Sequence, residues 1–313
     1  MFNQFDQQPI LAFPEGERSR LLSEGLPLSI DTQKLDFKKQ YPDLHSIYVT
    51  LGLAQGEWKS QKINCFTRQP DNEDFTNIGE HMIAVSLTLD AIARPLVAWG
   101  IISDQDWLTA KNLVLVHDLN RVFEIYEKKA FGVITQERSL AEMSRVLPIL
   151  GMSESQVKFV RHACAVTTYD GLGMFLVRNS QGEIEINPNS SVSDRLARLA
   201  DDMTCSRNGK HLLFTPLERF IAAGYFVDPD KDPNLWKQAE ITTDGKVIVD
   251  PLEISPNSLS GQIANLHMIS ADLSILNLLN HPSVPQKEND ACSSLGPQEY
   301  LKNLAARELG LME

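Results

Sequence analysis

The chain has 313 residues, 42% of them hydrophobic and 22% charged, which is enough to bury one substantial core and a smaller second one. Its formal net charge of -12 argues against a sequence-independent nucleic-acid binder or an anionic-membrane binder, because both need a positive field. No stretch approaches the ~20 uncharged apolar residues of a membrane span, and the amino terminus has neither a basic segment nor a long apolar one. We therefore expect a cytoplasmic protein.

The four cysteines are spread along the chain without any CxxC pair; they are Cys65, Cys164, Cys205 and Cys292. This spacing fits a reducing compartment and gives no support to a structural zinc site. We interpret the four as small hydrophobic residues.

Composition and the spacing of apolar residues divide the chain into three segments. Residues 1–73 form a mixed N-terminal extension, in which HSIYVTLGL followed by AQGE and WKSQKINCF could form a hairpin. Residues 74–210 have helical apolar spacing, and residues 211–313 form a C-terminal, mostly helical extension with a hairpin. We expect a mainly α protein with an inserted β-hairpin and small α/β extensions at both termini.

Helices are predicted first in the segment that starts at residue 74. One helix begins near Thr76 or Asn77 and contains EHMIAVSLTLDAI. A second begins near Ser103, whose side chain can cap it, and runs through TAKNLVLVHDLNRVFEIYEKKAFG to Gly132, with a possible break after Trp107.

Further elements follow in chain order. TQERSLAEMSRVLPILG predicts a third helix that ends near Pro148, and Ser153 caps a fourth. MFLVR and EIEIN flank the turn sequence NSQG and predict a hairpin, after which Ser193 opens a helix through RLARLADDM that Gly209 ends.

The last hundred residues carry weaker patterns. LFTPLERFIAAGYF and SLSGQIANLHMISADLSILNLLNH predict helices, and AEITTDGKVIVDP predicts a hairpin. The tail between Pro282 and Pro297 is polar and is expected to be loose, and PQEYLKNLAARELGLM predicts a closing helix.

Metal-competent residues occur at helical positions in the central segment. His81 lies in EHMIAVS, the adjacent His117 and Asp118 lie in LVLVHDLNR, and Asp201 lies in RLADDM. The apolar run before His117 buries the pair, and a buried carboxylate is costly unless a positive group pairs with it. A divalent cation is one such group, and Arg121, one turn later, is another, with His117 then a core histidine.

Two imidazoles and two carboxylates form a mixed nitrogen and oxygen donor set. Such a set suits Mn, Fe(II), Co or Ni in an octahedral shell better than Mg or Zn, with two positions open for water and substrate oxygen. A metal-bound water loses its proton near neutral pH and can attack phosphorus. Hydrolysis of a phosphate ester or phosphodiester is therefore the reaction class that these residues indicate.

The order of these residues resembles the HD-domain superfamily of metal-dependent phosphohydrolases over residues 74–210. The resemblance implies an HD-type helical core, a bound divalent metal with His81, His117, Asp118 and Asp201 as ligands, and hydrolysis of a nucleotide, cyclic dinucleotide, alarmone or other phosphate ester. RLADDM resembles the last motif of alarmone hydrolases and favours Asp201. Helical periodicity does not, since Asp201 lies about 200° from Leu199 around the helix, so Asp202 stays in reserve.

Other residues complete the candidate site. Asp118, Arg121 and His162 are the catalytic candidates. Arg121 can hold a substrate phosphate through its fork of donors or pair with an acid, and His162 can contact phosphate, support a ligand, bind a second metal or lie on a helix surface. The remaining basic residues near the motifs, Arg198 among them, are expected on solvated faces or in ion pairs, and Glu80 can orient His81 or lie in solvent.

The remaining histidines match no ligand pattern and are interpreted as structural; they are His45, His211, His267 and His281.

The expected partner is a small phosphorylated, nucleotide-like substrate, with no sequence-independent nucleic acid and no membrane; an oligomer is compatible with the sequence. A degenerate HD fold that binds a ligand or signals without turnover is the main alternative. A diiron oxidase of related fold would need more His and Asp ligands. A helical interaction protein without metal is the third alternative.

Overall fold

A computed structural model of the chain describes residues 28–53, 78–122, 133–167, 171–207, 210–222, 240–241, 247–248 and 256–312. These residues are mainly helical, which confirms the predicted class. The helices are α1 (Phe37–Gln40), α2 (Pro42–Thr50), α3 (Ile78–Ala98), α4 (Asp104–Val114), α5 (Val133–Val146), α6 (Glu154–Val166), α7 (Leu172–Phe175), α8 (Val192–Asp202), α9 (Pro216–Ala222), α10 (Pro256–Leu279), α11 (Gln286–Leu295) and α12 (Pro297–Glu308). The strands are β1 (Leu28–Ser29), β2 (Leu176–Arg178), β3 (Ile184–Ile186), β4 (Thr204–Arg207), β5 (Lys210–Leu213), β6 (Glu240–Ile241) and β7 (Val247–Ile248).

Helix α3 is the centre of the hydrophobic core. It packs against α4, α8 and α12, and nearly all its residues from Ile78 to Leu96 are buried. Contrary to the expectation from the sequence, this helix is long and apolar enough to cross a membrane, but 78% of its most apolar window is buried inside the protein. The core helix of a globular domain has this same character. Its predicted start at Thr76 or Asn77 lies outside the described residues.

Helix α4 begins where the sequence predicts and ends earlier. The Ser103 hydroxyl accepts a hydrogen bond from the Asp106 backbone, and the Asp106 carboxylate accepts one from the Ser103 backbone, which together form a capping box. The prediction that this helix runs to Gly132 is wrong, because it stops at Val114 and residues 115–120 form turns. These turns are closed by backbone hydrogen bonds from an N–H to the carbonyl three residues earlier, such as that from Leu119 to Val116. His117 and Asp118 therefore lie in a turn.

Helix α8 is enclosed by protein on every side. Every residue from Ser193 to Asp202 is buried, and the helix packs against α3, α4 and α10. Its N-cap is Ser191, whose side chain accepts a hydrogen bond from the Asp194 backbone, so the predicted start at Ser193 is two residues late. The prediction that Gly209 ends this helix is also wrong, because β4 begins at Thr204.

Three antiparallel sheets occur among the described residues. Strand β5 pairs with both β4 and β1, which gives a three-stranded sheet in the order β1, β5, β4. Strands β2 and β3 pair where alternating polarity predicts a hairpin, and the Asn179 side chain accepts backbone hydrogen bonds from Gln181 and Glu183 in the turn. Strands β6 and β7 also pair, and the predicted turn between them lies outside the described residues.

Two terminal segments differ from the prediction. The first six residues of HSIYVTLGL, proposed as part of a hairpin, lie in α2, which begins with Pro42 at its first position and buries Tyr48. Proline suits a helix start because its fixed φ is helical and its missing N–H would be unpaired there. The tail expected to be loose contains α11, where Glu288 accepts a hydrogen bond of 2.7 Å from Tyr300 of α12.

One continuous core runs from Ile30 to Leu309 in the described residues. Strand β5 also joins β1 to the sheet that follows α8, so that residues from all three predicted segments pack together. The division of the chain at residues 73 and 210 stays a prediction. Cys164, Cys205 and Cys292 are buried, as expected of small hydrophobic residues, and Cys65 lies outside the described residues.

We expect Tyr48→Phe to lower the free energy of unfolding by about 1–3 kcal/mol. The buried Tyr48 hydroxyl donates a hydrogen bond to the carbonyl oxygen of Leu115, so its loss leaves that carbonyl without this donor. Chemical denaturation measures the change. Tyr41→Phe, at a half-buried position, is the control and is expected to change stability by about 0.5 kcal/mol or less. Equal losses in the two variants would contradict this role for Tyr48.

Candidate metal centre

Three packed elements bring the predicted ligands together. His81 lies in the first turn of α3, His117 and Asp118 lie in the turn after α4, and Asp201 lies in the last turn of α8. One ligand atom from each of His81, His117 and Asp201 lies within 4.8 Å of those of the other two. All three side chains are buried, so the structure contains a compact His-His-Asp group that could bind a metal ion.

The distances place Asp201 between the two imidazoles. Its Oδ1 lies 3.3 Å from Nε2 of His81 and 3.4 Å from Nε2 of His117. Asp118 lies at the edge of the group, with Oδ2 3.9 Å from Nε2 of His81 and 3.8 Å from Nε2 of His117. Its side chain is 15% exposed, against 7% for Asp201. The four predicted ligands therefore converge, with Asp118 on the more open side.

Two buried atoms in this group suit a cation. Nε2 of His117 and Oδ1 of Asp201 are buried and make no hydrogen bond of acceptable geometry. Buried polar atoms without a partner are rare in proteins and need an explanation such as an ion. Nδ1 of His117 donates a hydrogen bond of 2.7 Å to the carbonyl of Val114, which leaves a lone pair on Nε2 when the ring is neutral. The donor set therefore fits a metal ion.

The ionisation of the group reflects burial and close charges. Burial by itself lowers the pKa of His117, but Asp118 and Asp201 raise it to about 9. Burial lowers the pKa of His81 more than its acidic neighbours raise it. Burial also favours the protonated form of Asp201, but Arg219 and the two imidazoles hold its pKa well below its ordinary value. The Asp201 carboxylate is thus charged, and His117 holds a proton more readily than His81.

An arginine contacts each candidate carboxylate ligand. Nη1 of Arg121 lies 3.3 Å from Oδ2 of Asp118, and Nη2 of Arg219 lies 3.5 Å from Oδ2 of Asp201. The sequence left open whether Asp118 pairs with Arg121 or binds a cation. The ion pair is present, and the same carboxylate borders the His-His-Asp group. The two interpretations are therefore compatible.

Asp202 belongs to a buried network on another face of α8, which shares Arg219 with Asp201. Its carboxylate lies 3.2 Å from Nε of Arg198, 3.2 Å from Nδ1 of His267 and 3.5 Å from Nη1 of Arg219. Burial and then Arg198 lower the pKa of His267 to about 4, so its ring is neutral near pH 7. Of the two alternatives expected for Arg198, a solvated face or an ion pair, the structure shows the ion pair, since Arg198 is 2% exposed and contacts Asp202.

Sequence reasoning missed Arg219 and the contacts of His267. They come from α9 and α10, far along the chain, and no spacing connects them to Asp201 or Asp202. Only the interval of four residues between Arg198 and Asp202 could have indicated a pair.

His162 does not join the His-His-Asp group. Its Nε2 lies 2.9 Å from Oδ1 of Asp194, and its side chain is 42% exposed. Asp194 precedes Asp201 by about two helical turns, or ~10 Å along α8. Glu80 is also engaged elsewhere, because its Oε2 lies 3.4 Å from Nε2 of His211. The structure therefore gives no support to a second metal held by His162.

The chemistry of the group follows from its donors. Two imidazole nitrogens and one or two carboxylate oxygens accept a divalent ion, and this donor set does not determine which metal it is. The sequence matches no family model, and neither a curated protein nor a solved structure is detectably similar to it.

The two adjacent aspartates of α8 should respond differently to amidation. We expect Asp201→Asn to weaken Mn²⁺ binding by about tenfold or more, because it removes the charged oxygen between the imidazoles. We expect Asp202→Asn to lower the free energy of unfolding by about 3 kcal/mol, because it leaves buried arginines without their counter-charge. Calorimetric metal titration and denaturation measure the two effects. Loss of Mn²⁺ binding in Asp202→Asn, with Mn²⁺ binding unchanged in Asp201→Asn, would instead identify Asp202 as the ligand.

The pair of His162 and Asp194 should make stability depend on pH. The hydrogen bond that Nε2 of His162 donates to the Asp194 carboxylate raises the pKa of His162 in the folded protein. A raised histidine pKa stabilises the fold fully below the unfolded pKa of about 6.5 and loses that contribution as the pH rises through the folded pKa. We expect the stability difference between wild type and His162→Gln to shrink from pH 5.5 to about pH 9 in urea denaturation. A constant difference would contradict the assignment.

Proposed function

We propose that this protein is an HD-type, divalent-metal-dependent phosphohydrolase or phosphodiesterase that acts on a nucleotide or another small phosphate ester. The observation that carries the proposal is the buried group of His81, His117 and Asp201, with Asp118 at its edge. The same residues match the ligand order of HD phosphohydrolases in the sequence. The mainly helical fold is compatible with such a core.

The residues that would hold the ion are those with buried ligand atoms. These are Nε2 of His81, Nε2 of His117 and Oδ1 of Asp201, with Asp118 as a fourth ligand. Mn, Fe, Co or Ni suits this mixture better than Mg or Zn. When bound, such an ion promotes deprotonation of water near neutral pH and neutralises negative charge on phosphate oxygens.

The chain itself supplies positioning and proton transfer. The hydrogen bond from His117 Nδ1 to Val114 fixes the ring orientation, which keeps Nε2 directed at the group. Asp118 is the most exposed of the four candidate ligands, and its carboxylate oxygen that does not bind the ion would accept a proton from the attacking water. Arg121 lies beside it and is the candidate residue for contact with a phosphate oxygen.

The experiment is elemental analysis of protein purified without chelator, followed by a screen of nucleotides and phosphodiesters with added Mn²⁺. We expect a bound transition metal and hydrolysis of at least one phosphate ester. The double variant with His117→Ala and Asp118→Ala should lose both, with activity reduced by about 100-fold or more, since it removes ligands and not only their supporting contacts. His281→Ala, at an exposed position, is the matched control.

The outcomes separate the alternatives. Bound metal without hydrolysis of any phosphate ester would favour a ligand-binding or signalling module. Wild-type protein without metal, and a double variant of unchanged thermal stability, would favour a helical interaction protein. An oxygen-dependent absorbance change of an iron-loaded sample would favour oxidation chemistry.

A further inference from the structure

Side chains hold the turn after α4, which carries His117, in place. The last carbonyls of a helix have no partner within that helix. Where α4 ends, the carbonyl of Val114 accepts a hydrogen bond of 2.7 Å from Nδ1 of His117, and the carbonyl of Leu115 accepts one from the Tyr48 hydroxyl of α2. Sγ of Cys164, in α6, lies 3.7 Å from the next carbonyl oxygen. Three consecutive carbonyls therefore have side-chain donors just before or beside the candidate ligand.

The Tyr48 hydroxyl contacts both of the segments that supply an imidazole. Its oxygen lies 3.4 Å from Sδ of Met82, and Met82 follows His81 in α3. The carbonyl to which it donates belongs to Leu115, two residues before His117. One hydroxyl group thus lies between the backbone of the turn and the first turn of α3.

The position of Tyr48 is fixed by the N-terminal helices. Its side chain is 1% exposed, and the ring of Phe37, in α1, packs against it with 4.7 Å between the ring centroids. The backbone N–H of Leu53 donates to the carbonyl of Tyr48 at the end of α2. Burial raises the pKa of Tyr48 well above its ordinary value, and the charge of Asp118 raises it further. The hydroxyl therefore keeps its proton and stays a hydrogen-bond donor.

We propose that Tyr48 is a positioning residue of the metal centre, which holds the turn after α4 so that Nε2 of His117 faces the ion. Metal ligands need to be held within about 0.5 Å of their productive positions by the residues behind them. Without the hydroxyl, the carbonyl of Leu115 loses this donor, and rotation of its peptide would redirect the ring of His117.

The inference extends the metal centre of the proposed function, on which it rests, to a part of the chain outside residues 74–210. Helices α1 and α2 would then belong to the working site, because they fix the ring of Tyr48. Tyr48 itself contacts no candidate ligand side chain through its hydroxyl, so its effect passes through the backbone of the turn.

The test is a titration of the full chain with Mn²⁺, in which the electron paramagnetic resonance signal measures free Mn²⁺. We expect Tyr48→Phe to weaken Mn²⁺ binding by about tenfold, the usual effect of removing a group that supports a ligand. Tyr300→Phe is the matched control, because the Tyr300 hydroxyl is also buried and donates a hydrogen bond of 2.7 Å to Glu288. This control should lose stability as Tyr48→Phe does and keep wild-type Mn²⁺ affinity. Equal Mn²⁺ affinities in the two variants would overturn the inference.

A spectrum separates positioning from a general loss of stability. The visible absorption of bound Co²⁺ depends on the geometry of its ligands. At a temperature where both variants are folded, we expect an altered Co²⁺ spectrum in Tyr48→Phe and the wild-type spectrum in Tyr300→Phe. Weaker binding in Tyr48→Phe with a wild-type Co²⁺ spectrum would attribute the effect to stability alone and would contradict the positioning role.

Hydrogen exchange of the wild-type protein gives a test that needs no variant. Linked equilibria change each other by the same factor, so Mn²⁺ must stabilise the docking of α2 if that docking strengthens Mn²⁺ binding. We expect Mn²⁺ to slow amide exchange in residues 42–53 more than in α11, residues 286–295. Slowing that is absent from residues 42–53, or no greater there than in α11, would overturn the inference even if Tyr48→Phe does not fold.

Failure of this inference differs from failure of the proposed function. Wild-type protein that binds no Mn²⁺ rejects the metal centre and with it both proposals. Protein that binds Mn²⁺ and hydrolyses a phosphate ester, with equal Mn²⁺ affinity in Tyr48→Phe and Tyr300→Phe, rejects the role of Tyr48 alone.

Discussion

The rest of the structure depends on the placement of two buried carboxylates and one partly buried carboxylate in a mainly apolar helical core. Asp201 and Asp202 are buried in α8, and Asp118 is partly buried in the turn after α4, where an unpaired charge would be costly. The fold meets this constraint by bringing Arg121, Arg198 and Arg219 from three different elements to the same region, and this convergence fixes how α8, α9 and the turn after α4 pack. The two buried aspartates of α8 differ in how far their charge is compensated. Asp202 has charged partners on several sides, whereas Asp201 has one buried oxygen without a hydrogen bond.

Local signals in the sequence predicted most of the helical framework. The capping boxes at Ser103 and Ser153 and the apolar spacing of α3 and α6 are short-range patterns that fix where helices begin and which face is buried. The end of α4 was missed because an apolar run continues through the tight turn at residues 115–120, and hydrophobicity alone does not separate such a turn from a helix. Helix α11 was missed because its residues are mostly polar, and it is ordered by contacts with α12 such as that of Glu288.

The candidate site was predictable only in part, for a physical reason. The order of His81, His117, Asp118 and Asp201 could be read because metal-competent residues next to apolar runs are unusual, and the structure brings those four together. Periodicity gave no help with the last ligand, because α8 is buried on all faces and has no solvent side to orient it. Arg219 could not be predicted, since its contact with Asp201 depends on the path of the chain between two helices and on no local spacing.

One continuous stretch of chain supplies both the candidate ligand Asp201 and its counter-charge, Arg219. Helix α8 ends at Asp202, the β4 and β5 hairpin turns the chain back, and α9 returns Arg219 to the carboxylates, where its Nε also donates to the carbonyl of Thr204. Residues alternate between the two faces of a strand, so a change of one residue in the length of β4 or β5 would move the side chains beyond it to the opposite face of the sheet. Insertions or deletions within the paired residues of this hairpin would therefore disturb the position of Arg219 relative to Asp201, so the electrostatics of the site constrain the length of the hairpin.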